Sequence, residues 1–340
     1  MIAPGGKVLS RLGLFLSLVI GNAAHLQVVA GMLFDLISFF VAHRYGEFEY
    51  TPIHKFILLG LFLGVAAPYC FMDDLESLKN VGKFVAGIVL TTSGVVAVCC
   101  LWKLGTGHGA SNYNATTADV PSFEVAIRTA PNICFAFTGM LSFWEVFAAL
   151  RRGCGEVAPK VMRRSLLWSS VMVLVLYLLV TGTTILAFGK AAGETHLGNG
   201  HGNVLYNFPP ENYPLTILCT LLVVVIVLDY PIINFPLVNM FLRVKRLGLE
   251  GKPFARHFLS LAFMLLVLLI DMVVPDLPDV FGLCGSLGLS LSCFVVPGLV
   301  LVCGGRTFPK IAVGALSVVA GLLMLFGGTF FILKRVITGR

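Results

Sequence analysis

The sequence predicts an all-α, polytopic membrane helix bundle, and three observations carry that prediction. Fifty-seven per cent of the 340 residues are hydrophobic and only 12% are charged, against roughly 25% charged in soluble domains. The mean hydropathy of +0.92 is too high for a water-facing surface around one core. Apolar runs of about 20 residues, the length that crosses a bilayer's hydrocarbon, recur along the whole chain. These features argue against a soluble enzyme, a disordered chain and a nucleic-acid-binding domain.

Nine runs qualify as spans: 11–41, 54–71, 82–102, 126–150, 165–189, 213–242, 257–275, 279–302 and 309–333. The first is long enough to tilt or to lie partly on the membrane surface. It is too long for a secretory signal peptide and has no small-residue cleavage site. Pro68, Pro131, Gly139, Pro231, Pro236, Gly285, Gly288 and Pro297 fall inside spans. Neighbouring helices and cavity water can satisfy the backbone groups that such residues free. The whole of 1–340 therefore reads as one transmembrane domain.

With the N-terminus placed inside, sixteen of the 24 Lys and Arg residues fall in inner segments. They cluster at Lys7–Arg11, Lys79–Lys83, Arg151–Arg164, Arg243–Arg256 and Arg306–Lys310, which is the pattern of cytoplasmic loops. The net charge of +7 is explained by those loops rather than by a nucleic-acid partner. Asn114-Ala115-Thr116 is a glycosylation sequon in the loop 103–125 that this count places outside. The nine cysteines lie mostly inside apolar runs without a C-x-x-C, so they read as small packing residues rather than disulfides or a zinc site.

No metal-ligand pair, nucleophile elbow or phosphate-binding loop occurs, so no catalytic or metal residue is assigned and enzymatic activity is not expected. Ionisable residues within spans are costly and mark functional candidates. Asp35 and Asp271 lie near span ends, where a solvated carboxylate is the simpler account, and His25 reads as a helix-to-helix hydrogen-bond partner. Glu145 and Asp229 lie deeper. Each is either a cavity-facing coupling or gating group or a packed structural one.

The fourth span holds a small, polar centre flanked by aromatics: Phe135-Ala136-Phe137-Thr138-Gly139-Met140-Leu141-Ser142 follows Pro131. Unwinding a turn there would expose carbonyl and N–H groups able to hold the ammonium and carboxylate of a zwitterion. The other account is a tight crossing at Gly139. In the sixth span, Asp229 and Asn234 stand beside Pro231 and Pro236. In the eighth, Gly282 to Gly288 forms a small-residue seam, read as close helix packing.

At these three stretches the sequence resembles the amino acid/auxin permease family, in the style of its protozoan branch. Phe135-Ala136-Phe137-Thr138-Gly139 matches the core of that family's sixth helix, followed by Trp144-Glu145-Val146-Phe147. Tyr230-Pro231 with Pro236 matches its eighth helix, and Gly285 to Pro297 its tenth. The resemblance implies a LeuT-like fold of two inverted five-helix repeats and a final helix. On that register 11–102 is a partial first repeat (helices three to five), 126–302 the second repeat and 309–333 the final helix. Helices one and two are missing from the pattern.

The resemblance implies secondary transport of an amino acid or related amine by alternating access, with no cofactor but coupling to H+ or Na+. Phe135, Ala136, Phe137, Thr138, Gly139, Met140 and Ser142 would form the substrate site, and Glu145, Asp229 and Asn234 the coupling or gating elements. The alternative is a non-transporting sensor, scaffold or truncated paralogue, which the missing helices suggest; a channel is weaker, since no filter sequence occurs. Either reading places the chain in a bilayer, at the plasma membrane or an endolysosomal or vacuolar one, and leaves protein partners open.

Overall fold

A computed structural model describes residues 4–45, 52–72, 79–107, 123–137, 143–189, 208, 213–244, 248, 252, 254–274, 277–305 and 307–338. The helices are α1 (Pro4–Tyr45), α2 (Pro52–Cys70), α3 (Lys79–Gly105), α4 (Phe123–Phe135), α5 (Phe143–Cys154), α6 (Ala158–Phe188), α7 (Tyr213–Leu242), α8 (Ala255–Val273), α9 (Leu277–Leu283), α10 (Val296–Gly304), α11 (Phe308–Leu323) and α12 (Thr329–Thr338). A tight 3₁₀ turn, Gly155–Val157, joins α5 to α6. Two widened π segments, Cys284–Val295 and Met324–Gly328, link α9 to α10 and α11 to α12. No strand occurs among the described residues.

Seven stretches among the described residues are long and apolar enough to cross a membrane: Val8–Leu33, Val81–Gly105, Val146–Phe188, Thr220–Leu242, Ala255–Val273, Leu277–Gly304 and Phe308–Thr338. The chain is therefore a polytopic helical membrane protein. Two of the nine expected spans take another form. The apolar part of α2, Phe56–Cys70, is shorter than a crossing. The span expected over 126–150 is two helices, α4 and α5. α1 also runs further at both ends than the expected 11–41, because Lys7 and Arg44 bound the apolar run without breaking the helix.

The chain divides into two compact units. The first gathers Met1–Gln27, Val120–Phe143 and Ile233–Arg340. Its core holds Leu18, Leu26, Leu237, Val238, Val267, Val280 and Ile332, all essentially without solvent exposure. Phe15, Phe241 and Phe263 form an aromatic triangle in it, with centroids 5.6, 6.4 and 5.0 Å apart.

The second unit gathers Val28–Asp119 and Trp144–Ile232. There α3 packs along α6, with Val96, Cys100 and Ala187 as a buried cluster. Phe188 caps that cluster, its ring edge against Phe208 and its face under the Lys103 ammonium at 3.8 Å. Much of α6 presents apolar side chains outward, among them Leu167, Trp168, Val175 and Leu178. Such a run would be a liability in water and suits lipid.

Candidate functional site

Pro131 sets the local behaviour of α4. It has no N–H to give the carbonyl of Ile127, so the helix is weakened one turn before its end. The last turn closes with Ala136 N–H donating to Asn132 C=O and Phe137 N–H donating to Cys134 C=O, both at 3.1 Å. The second bond spans three residues, the tightening by which many helices end. Phe135, Ala136 and Phe137 thus form the tip of α4, with Ala136 and Phe137 exposed. The next helix, α5, starts at Phe143. Thr138, Gly139, Met140 and Ser142 lie outside the described residues, as do the side chain of Glu145 and the sequon at Asn114.

Backbone contact with the widened segment Cys284–Val295 fixes α4 within the first unit. A β-carbon on Gly285 would sit 2.6 Å from the carbonyl carbon of Pro131 and 2.8 Å from its Cα. One on Gly328 would sit 2.9 Å from Pro131 Cγ and 3.2 Å from Ser286 Cβ. Pro131 is therefore held between two glycines, its backbone against Gly285 and its ring against Gly328. At the tip, Phe135 stacks on Phe281 with centroids 4.4 Å apart and planes 18° apart. Cys134 Sγ lies 3.6 Å from Met324 Sδ. The small-residue seam from Gly282 to Gly288 thus packs closely, as its composition predicts.

The same seam receives α1. A β-carbon on Gly288 would meet Ser17 N and Cα at 2.5 Å. Cys284 Sγ donates to the Ser17 carbonyl at 3.3 Å, and the Ser17 and Ser292 hydroxyls lie 3.4 Å apart. Further along, Thr329 Oγ1 donates to Ser286 Oγ at 3.1 Å. Arg335 reaches Asp279 at 3.4 Å, with the carboxylate as the buried member of the pair.

Several neutral amides are buried in this unit with an atom that has no hydrogen-bond partner. Asn132 Oδ1, 3.0 Å from where a β-carbon of Gly282 would stand, is one. Asn22 Oδ1, Gln27 Oε1 and Asn234 Nδ2 are others. The remaining ends are engaged in α1: Asn22 Nδ2 donates to Leu18 O at 2.7 Å and Gln27 Nε2 donates to Val274 O. A buried polar atom without a partner costs roughly 1–3 kcal/mol. Native chains keep few of them, and they mark places where a ligand or water completes the bonding.

Amide oxygens accept hydrogen bonds from an ammonium and coordinate hard cations, so this unit offers neutral acceptors; Asp271, expected to be solvated at a span end, is instead fully buried in it, because α8 turns that face into the core. Asp229 and Asn234 are five residues apart on α7, about 140° around the helix. Asp229 is partly buried in the second unit, and Asn234 is fully buried in the first. Tyr230, also in the second unit, is fully buried edge-on to Phe62 at 5.6 Å with an unpartnered hydroxyl. Tyr230 stands out in the sequence only through the Tyr230-Pro231 match, and Asn22, Gln27 and Asn132 are not among the expected site residues. Their only signal is a neutral polar letter inside an apolar run. Among the described residues no cluster of His, Cys, Asp and Glu could hold a metal ion.

A family model described as transmembrane amino acid transporter protein matches residues 1–307. Among curated proteins, the chain is similar to sodium-coupled neutral amino acid transporter 7 of Danio rerio, 27% identical over 277 residues that cover 76% of this chain and 53% of the relative. The Bos taurus protein of that name is 28% identical over 202 residues, 55% of this chain and 40% of the relative. The Mus musculus protein is 27% identical over 192 residues, 53% and 38%. The chain spans about half the length of the curated relatives it matches, or less. No solved structure matches it.

Proposed function

As the chain belongs to the transmembrane amino acid transporter protein family, we propose that it carries a neutral amino acid across its membrane by alternating access, driven by a sodium gradient. The substrate class and the ion follow the names of its relatives. The observation that carries the site assignment is the end of α4 at Phe135, closed by the Phe137 N–H to Cys134 C=O bond, beside the unpartnered Asn132 oxygen.

On this reading the substrate ammonium donates to acceptors at the α4 tip, Asn132 Oδ1 among them, and the carboxylate meets backbone N–H groups of 138–142. Phe135, Ala136 and Phe137 line the apolar side, with Thr138, Gly139, Met140 and Ser142 completing the pocket. A zwitterion is held there by dipoles alone, which keeps fixed charge out of the hydrocarbon. Glu145, Asp229 and Asn234 serve coupling or gating. Segment 11–102 is a partial first repeat, 126–302 the second repeat and 309–333 the final helix of a LeuT-like arrangement.

The test is uptake of labelled glutamine, alanine and leucine into proteoliposomes holding the purified chain, under a sodium gradient, a choline control and a proton gradient. Sodium-dependent, saturable uptake of at least one is expected. Uptake driven by the proton gradient alone would replace sodium with H+. A saturable melting shift without uptake would favour a sensor. The absence of both uptake and a melting shift would overturn the reading.

A further inference from the structure

The corner between α7 and α8 carries chemistry that the transport reading does not use. Phe254, at the turn that opens α8, is 76% exposed, and Phe258 is 70% exposed. Phe258 N–H donates to Phe254 C=O at 3.0 Å, which sets the two residues one turn apart on the same side. Lys252 and His257 between and beside them are exposed. Arg256 is half-buried: its Nη2 donates to Asn239 Oδ1 at 2.8 Å and its guanidinium lies 4.9 Å from the Phe235 ring centre.

Across 243–258 the sequence carries Arg243, Lys245, Arg246, Lys252 and Arg256 against a single acid, Glu250. The pattern repeats at the start of α11 in the same unit, where Phe308 is 82% exposed and Lys310 follows two residues on. Exposed phenyl rings require apolar surroundings, while the bases among them require anions. One medium supplies both within a few ångströms: the headgroup level of a bilayer containing acidic lipid. A soluble anion would leave the rings in water. The lysine and arginine count also puts this corner on the inner side, where acidic lipids concentrate.

We propose that the α7–α8 corner is a binding site for the headgroup of an anionic phospholipid, with Phe254 and Phe258 seated among the acyl chains, Lys252 on the phosphate, and the Arg256 charge adding to the local positive potential from within the fold. Asn239 and Phe235 hold the Arg256 guanidinium against the fold, one layer beneath the exposed Lys252. This rests on the membrane placement alone and stands whether or not the chain transports.

The experiment is native mass spectrometry of the detergent-purified full chain titrated with phosphatidylglycerol, with phosphatidylcholine of the same acyl chains, and with glycerol phosphate. Phosphatidylglycerol should bind at least fivefold tighter than phosphatidylcholine. Lys252→Gln should cut that preference about fivefold, the effect of one basic residue at an acidic surface, and leave phosphatidylcholine unchanged. Phe254→Ser with Phe258→Ser should weaken both lipids. Arg256 also packs within the fold, so Lys252→Gln, on an exposed side chain, decides the matter if Arg256→Gln does not fold. Equal binding of the two lipids, an unaltered preference in Lys252→Gln, or full competition by glycerol phosphate would each overturn the proposal. So would capture of an acidic peptide with undiminished affinity in the presence of saturating phosphatidylglycerol.

Discussion

Gly285→Ala tests whether backbone contact at the seam positions α4. Ordinary van der Waals contact for a β-carbon begins near 3.4 Å, and the new methyl would stand 2.6 Å from the Pro131 carbonyl carbon. The obstacle is backbone, with the Pro131 carbonyl oxygen nearer still, so no rotamer change relieves it and α4 must retreat by more than about 1 Å. Overpacking of this kind costs typically about 1–3 kcal/mol, and an unyielding neighbour argues for the upper end. Alanine returns at most about 1 kcal/mol of helix propensity. The net expectation is a loss of about 2 kcal/mol.

Gly60→Ala in α2 is the matched control, since a β-carbon there meets nothing within 4 Å. It should be neutral or up to about 1 kcal/mol stabilising. Unfolding in detergent, followed by helical circular dichroism against denaturant, reads both variants on one scale. Uptake should fall in Gly285→Ala beyond what its lower folded fraction explains, because the shift is delivered to the helix that ends at Phe135. Equal unfolding curves for Gly285→Ala and Gly60→Ala would refute the assignment of the seam as the element that holds α4.

Three further substitutions bear on the same unit. Asn132→Ala removes a buried oxygen that has no partner, so unfolding should show no loss, while apparent affinity for the transported amino acid falls by roughly tenfold or more, the worth of a hydrogen bond to a charged group. Phe281→Leu removes the stack on Phe135 and should cost about 0.5–1.5 kcal/mol beyond the area lost, measured by the same unfolding assay against Phe326→Leu, a change at an exposed ring. Arg335→Gln should destabilise more than Asp279→Asn, because it leaves the buried carboxylate without its guanidinium. Both should stay well short of the roughly 3–5 kcal/mol of a fully buried pair, since Arg335 is about a third exposed. Equal melting of those two variants would contradict that ordering.

Helix existence and membrane placement were legible in the sequence because both depend on summed hydropathy, which a 20-residue run reports well. The seam from Gly282 to Gly288 was legible for a related reason: small side chains at short intervals permit helix axes to approach, whatever the partner. The end of α4 was only half legible. Pro131 and Gly139 marked a weak stretch in 126–150, but hydropathy runs on past Phe135 and gives no helix end.

The buried amides were illegible for a different reason. Asn22, Gln27 and Asn132 are single neutral letters in apolar runs, and whether each is partnered depends on which helix lies opposite; Asn234 stood out only through its place beside Pro231 and Pro236. The widened segments left no mark either. Their i→i+5 bonding, as in Val296 N–H to Leu291 C=O, depends on tertiary packing rather than on residue type.

The widened segment explains why serines alternate with glycines along Cys284–Val295. Opening the helix loosens some carbonyls from the usual four-residue bond, and in lipid each such group needs another donor. Ser290 Oγ donates to Ser286 O, Ser292 Oγ to Gly288 O at 2.9 Å, and Ser317 Oγ of α11 to Phe294 O at 3.0 Å. Glycines let α4 and α1 approach; serines satisfy the backbone that the widening exposes. Large side chains on the seam could do neither. The unit therefore holds α4 by backbone contact at Pro131 and leaves the amide of Asn132, one residue further on, without a packed polar partner. A site for a polar guest needs that combination: a helix fixed rigidly, and beside its end an acceptor that the fold itself does not use.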